Sequence, residues 1–207
     1  MSDMSSSSSS SNIVTPLFIE SVISRRFHFT ITDLNLDDTT EFHNFVENKV
    51  KNEFEGNCID EGFVRPNTIK VITISSGLLN RSQVSYDIMF RCEIFHPVID
   101  SVLSCRAISA TRAGIRAISS EEETSPFIAF ITREHNLKEK DYSKTEENHI
   151  FLASVIAFRF ELNDKRVSVI GKLIKKVSTE SEIEEVEKIS KPISSKPSKK
   201  KTKKEIK

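Results

Sequence analysis

The chain has no tryptophan and only two tyrosines among its 207 residues. It also has only three cysteines, Cys58, Cys92 and Cys105, and they stand far apart. None forms a CxxC pair, which argues against a structural zinc site. An odd, scattered count does not make a disulfide framework and suits a reducing compartment. No apolar run approaches the roughly 20 residues of a membrane span, so no membrane partner is expected. The N-terminus has neither a basic region nor an apolar core of the kind that directs secretion. The five histidines (28, 43, 96, 135 and 149) show no HExxH spacing. There is no P-loop, no GxGxxG, no GxSxG and no Asp-rich triplet to hold magnesium. The expectation is a protein without metal or cofactor that is not an enzyme on its own. Excess charge is missing too: 30 basic and 30 acidic residues cancel, which predicts no large non-specific affinity for nucleic acid from the whole chain.

Phenylalanine is abundant, at 14 residues, and a ring without a polar handle is mostly core material. The most informative stretch is Val84 to Ala117, VSYDIMFRCEIFHPVIDSVLSCRAISATRAGIRA. Val84, Tyr86, Ile88, Phe90, Cys92 and Ile94 alternate with Ser85, Asp87, Arg91 and Glu93, the period of a half-buried strand. Cys92 falls on the apolar face, as an inert buried thiol. Pro97 punctuates the strand, and a second strand-like run ends at an Ala113-Gly114 turn. A long strand, a break, a curled strand and a glycine turn suggest entry into a small closed β-barrel of the OB type, a frequent platform for single-stranded nucleic acid.

Organisation follows from composition. Met1 to Asn12 is nearly pure serine and is expected to be disordered. Leu17 to Val22 and Phe27 to Ile31 read as two strand runs, the second with Phe27, Phe29 and Ile31 on one face. Asp38 fits a helix N-cap with Glu41 as its capping-box carboxylate. Phe42, Phe45, Val46, Lys49, Val50 and Phe54 follow at helical spacing, and Gly56 ends the helix. Glu55 to Asn67 reads as loop, Ile69 to Ile74 as strand and Ser75-Ser76-Gly77 as turn. Beyond Gly114 come Ile115 to Ile118, an acidic loop at Glu121-Glu122-Glu123, and a strand from Phe127 to Thr132. A charged insertion follows from Asn136 to Asn148, then Ile150 to Glu161, an Asn163-Asp164 turn and Lys165 to Ile174. Five strands after Pro97 match a five-stranded barrel. The expected fold class is α+β: a small α/β tip domain over 15–95, then an S1-type OB barrel over 96–177. Disordered tails are expected over 1–14 and 178–207. Glu180 to Glu187 is acidic, with helical spacing at Ile183, Val186 and Ile189. Lys191 to Lys207 fits a nuclear-localisation or nucleic-acid patch as well as it fits a solubilising tail.

The order of these pieces resembles a known family. EFEGNCIDEGFV precedes the long strand VSYDIMFRCEIFHPV, which runs into LSCRAISATRAGI, and FRFELNDKRVSVIGKLI closes the barrel. Over roughly residues 17 to 175 this resembles the larger stalk subunit of multisubunit DNA-directed RNA polymerases. The serine-rich and Lys/Ile/Asn-rich character resembles a large-DNA-virus version. The resemblance implies a non-catalytic accessory subunit at the site of transcription, in a nucleus or, if viral, in a virion or host cytoplasm. Its implied partners are the polymerase core subunits, a second stalk subunit, and nascent single-stranded RNA bound weakly. It implies core docking through Gly56, Asn57, Cys58, Gly62 and Phe63. It implies RNA contact through Arg106, Arg112, Arg116, Arg159 and Lys165.

Two features of the residues predict weak RNA affinity. Ile115 and Arg116 stand where strong S1 binders present aromatics, and the acidic loop at Glu121 repels phosphate. Arg106 and Arg112 are expected to share a face. Phe127 and Phe130 fall on opposite faces of one strand, one in the core and the other stacking on a base or packing on a partner. Phe158 and Phe160 share a face and read as barrel core. The rival function is a free-standing OB-fold binder of RNA or single-stranded DNA.

Overall fold

A computed structural model describes residues 16–34, 39–122, 124–136, 142 and 145–176. Both tails, the Asp38 cap, the Glu180 segment and most of the charged insertion lie outside the described residues.

The first unit is a sheet with one helix across it. Strand β1 (Ile19–Thr30) pairs antiparallel with β6 (Gln83–Phe95) along its whole length, from Ile19↔Ile94 to Thr30↔Gln83. The two separate runs expected here are one strand. Arg25 and Arg26, which interrupt the apolar pattern, are accommodated by Glu61 at 2.6 Å and by Asp87 across the pair at 2.7 Å. Ile31 is not the third member of the Phe27–Phe29 face. It begins a short 3-10 helix, Ile31–Leu34, and is half exposed.

Helix α1 (Thr39–Phe54) covers one face of the sheet. Val46 and Val50 are fully buried, while Lys49, which falls within the helical apolar spacing, points to solvent. The phenylalanines interlock here: Phe54 stacks on Phe90 at 5.6 Å and meets Phe27 edge-on at 5.8 Å, and Phe45 meets Phe29 at 5.8 Å. Such pairs each contribute about 1 kcal/mol beyond simple burial. The stretch read as loop holds a hairpin, β2 (Cys58–Ile59) with β3 (Gly62–Val64), and β3 continues the sheet beside the end of β6. β4 (Lys70–Ile74) and β5 (Leu78–Asn80) pair with successive parts of β6 on the same edge as β3, opposite β1.

The second unit is a closed barrel of β7 (Val102–Ala110), β8 (Gly114–Ser119), β9 (Phe127–Thr132), β10 (Ile150–Arg159) and β11 (Val167–Lys176). Its circuit is β7-β8-β9-β11-β10 and back to β7, with β9 and β11 parallel and the other pairs antiparallel. This mixed five-stranded closure is the OB arrangement, as the sequence predicts. Leu103, Cys105, Ala107, Ile115, Ala117, Phe127, Ala129, Ile131, Phe151, Val167 and Leu173 fill the interior by strict inward alternation.

The barrel's interior does not stop at its own strands. Cys58, Phe63 and Phe95 from the first unit belong to the same apolar cluster, and Phe95 lies 5.3 Å from Phe127. The β2–β3 hairpin therefore plugs one end of the barrel. Phe158 and Phe160 are not interior residues. They are half-buried and stacked on each other, with His96 edge-on to both at 5.3 and 5.8 Å, because β10 bulges at Val155–Ala157 and leaves the closed wall there.

Candidate nucleic-acid interface

Outward residues of a barrel strand are those between the inward ones. On β8 they are Arg116 and Ile118, and on β9 Ile128, Phe130 and Thr132. The register sets Arg116 directly opposite Phe130 and Ile118 opposite Ile128. On β7, a bulge at Ile108 restores the register so that Ser109 faces Arg116, while Arg106 faces Ile118. One continuous outer face thus carries Arg106, Arg116 and Phe130. Phe130 lies over Gly114, where a Cβ would come within 2.7 Å of the ring, and Arg116 beside it is exposed. Among the described residues Arg106, Arg112 and Arg116 form no salt bridge. Phe127 is the core partner and Phe130 the outer one, as the opposite-face reading expects. Ile115 faces the interior, and the outer face at Arg116 gains a ring from Phe130 on the adjacent strand, a cross-strand pairing that is not visible in linear order.

Five residues were candidates for RNA contact, and the structure divides them. Arg106 and Arg116 share the β7–β8 outer face. Arg112 does not share a face with Arg106 because it sits in the turn between the strands, at the end of the barrel away from the plug. Arg159 pairs with Glu161. Lys165 donates a 2.6 Å hydrogen bond to Asn57 Oδ1. Both belong to the β10–β11 turn, at the plugged end.

The five candidate docking residues meet at that joint. Cys58 N–H donates to Asp164 O at 2.7 Å, and Asn163 N–H donates to Cys58 O at 2.8 Å. Cys58, Gly62 and Phe63 are buried and Gly56 and Asn57 half-buried, while Asp60 and Glu61 form the exposed turn. Arg65 ties the joint from outside. Its guanidinium bridges Glu93 of β6 at 2.5 Å and Glu122 of the β8–β9 loop at 2.7 Å, and lies 4.8 Å from the centre of the Phe18 ring. Glu122 of the acidic loop is thus neutralised at the joint. Arg65→Ala should cost about 1–2 kcal/mol in urea unfolding, the sum of two half-exposed ion pairs and one cation–π contact. A loss below about 0.5 kcal/mol would mean that apolar burial alone holds the joint.

Among the described residues no group of three or more His, Cys, Asp or Glu side chains is placed to hold a metal ion, and no helix is long and apolar enough to cross a membrane. No protein-family model and no curated protein matches the sequence. The class rests on the architecture: a small α+β domain followed by a closed five-stranded mixed barrel, consistent with a generic OB-type nucleic-acid-binding module.

Proposed function

We propose that this protein is a non-catalytic, stalk-type subunit of a DNA-directed RNA polymerase, its barrel contacting exiting single-stranded RNA. The observation that carries the nucleic-acid part is the outer face of β7–β9, where Arg116 sits beside the half-buried ring of Phe130 and Arg106 stands on the next strand, neither arginine ion-paired among the described residues. Guanidiniums hold a phosphate backbone and a ring stacks on bases without regard to sequence. The order of the pieces supports the polymerase part: an α+β tip of 15–95, then a barrel of 96–177 that it contacts through Cys58, Phe63 and Arg65. In this reading the core subunits are met by the exposed Asp60–Glu61 turn of the hairpin.

Fluorescence anisotropy with a labelled single-stranded oligoribonucleotide tests the RNA face. Phe130→Ala should weaken binding about tenfold, the value of one stacked base. Arg116→Ala should lower the salt slope by about one. If neither variant changes affinity or slope, that face is not the interface. Affinity purification of the full chain from its source tests the assembly. Recovery of large polymerase subunits in stoichiometric amount supports the stalk role, and recovery of the chain with RNA alone moves the reading to a free-standing OB-fold binder.

A further inference from the structure

A cleft of about 350 Å³ lies at the end of the barrel opposite the plug. It is lined by Thr111 and Arg112 of the β7–β8 turn, Arg133 just after β9, and Tyr142 and Thr145 of the β9–β10 connection, with Ile115 from the interior behind them. Among the described residues no carboxylate lines it. Its walls are pinned. Thr111 Oγ1 donates to Gly114 O at 2.9 Å, and Arg133 N–H donates to Ala113 O at 3.4 Å. Buried Asn136 donates to Thr132 O at 2.8 Å and accepts from Leu173 N–H at 2.9 Å. Against these satisfied groups two hydroxyls stand out. The Tyr142 OH and Thr132 Oγ1, the latter next in sequence to Arg133, are buried and have no hydrogen-bond partner among the described residues. An unmade bond at a buried hydroxyl is costly, and native proteins leave few of them. Arg112 and Arg133 form no ion pair among the described residues, and the Arg133 charge is close enough to act on the Tyr142 phenol.

We infer that this cleft is a binding site for a phosphate monoester, with Arg112 and Arg133 as the anion's forks and the Tyr142 hydroxyl as a third donor. Two guanidiniums suit a group that carries nearly two negative charges at neutral pH better than an internal diester, which carries one. The cleft is near the lower end of ligand pockets, roughly 300–1,000 Å³, and holds one nucleotide rather than a tract. Beside the Arg116–Phe130 face, the natural bearer is the phosphorylated end of a strand. That bearer rests on the nucleic-acid reading above; the anion site itself does not.

The sequence supplies a probe, because there is no tryptophan and only Tyr86 and Tyr142 are tyrosines. In the full chain carrying Tyr86→Phe, tyrosine emission reports Tyr142 alone. Three titrants are compared: inorganic phosphate, a 5′-phosphorylated oligoribonucleotide, and the same oligonucleotide with a 5′-hydroxyl. The expected result is a saturable emission change with the first two. The phosphorylated strand should act at about tenfold lower concentration than the hydroxyl strand, the value of one charge-assisted hydrogen bond. Arg133→Gln should abolish this preference. So should Arg112→Gln, which lies in an exposed turn and leaves the interior untouched. An equal response to the two strands, or no response to phosphate and the phosphorylated strand, overturns the site. A response to phosphate without binding of either strand, judged by anisotropy, keeps the site as one for free phosphate and removes the nucleic-acid reading instead.

Discussion

Gly62→Ala should destabilise the protein by about 4 kcal/mol and separate the plugging hairpin from the barrel. Two physical costs add at this position. The backbone sits at φ +134°, a conformation that L side chains rarely adopt, which costs roughly 1–3 kcal/mol. A Cβ would also lie 2.5 Å from the Phe95 carbonyl oxygen and 2.9 Å from Ile94 Cγ2. The oxygen belongs to a strand paired with Phe63 next door, so neither atom can yield without disturbing the sheet, and overpacking of this kind adds roughly 1–3 kcal/mol. Gly56→Ala is the control. Gly56 also has a positive φ, +71°, but a Cβ there meets only Pro66 at 3.8 Å, so about 1 kcal/mol is expected. Urea unfolding of the two variants separates strain alone from strain with collision. Equal losses would mean that Phe95 moves freely, and the hairpin would then not be a rigid plug. A drop in polymerase recovery caused by Gly62→Ala must accordingly be read beside the variant's stability.

The long strand β6 and the barrel after it were legible in the sequence because their signals are local. Alternation in β6, the glycine after Ala113, and the Asn163-Asp164 turn each show within a window of about ten residues. The same holds for Phe127 and Phe130, whose opposite faces follow from spacing alone. What stayed hidden depends on partners far along the chain. Arg25 and Arg26 break the apolar pattern of β1, and only Glu61 and Asp87 explain why the strand continues through them. β2 and β3 have two and three residues, too few to show a period, so the hairpin read as loop. The family resemblance implies docking through its glycine, cysteine and phenylalanine, and Cys58 and Phe63 face the barrel interior. Arg133 lies just before, and Tyr142 within, a charged stretch that reads as insertion, and the closed circuit of strands brings them beside Arg112. A cross-strand ring can be anticipated: an aromatic three residues from a core aromatic, on the strand that follows the one opened by the glycine turn, points outward beside the arginine it pairs with.

Raising the pH above about 9 should unfold this protein steeply, and the three cysteines are the reason. Cys58, Cys92 and Cys105 are free and sealed from solvent. Burial pushes the first two thiols from 9.0 up to about 11, with Asp164 adding to the effect at Cys58 and Glu61 at Cys92. Burial, and then Glu121, pushes Cys105 up to about 12. The unfolded chain ionises its thiols near 9.0 while the folded chain keeps the protons, so above that pH the unfolded state binds fewer protons and stability falls. The stabilisation is complete below pH 9 and is lost as pH rises toward 11 and 12. Each thiol contributes about 1.4 kcal/mol per pH unit in that window, so the three together approach ~4 kcal/mol per unit. That is a large share of the 5–15 kcal/mol that ordinarily separates folded from unfolded chains. Urea titrations at pH 8, 9, 10 and 11 read the slope. Cys92→Ala, though less stable throughout because it empties part of the core, should remove about one third of the slope, which a purely structural loss would leave unchanged. At pH 8 the same burial makes the thiols inert, so a thiol-specific reagent should label the chain only as fast as it opens. Rapid stoichiometric labelling of the native protein would show that at least one of these sulfurs reaches solvent, and the joint around Cys58 would be the first place to look.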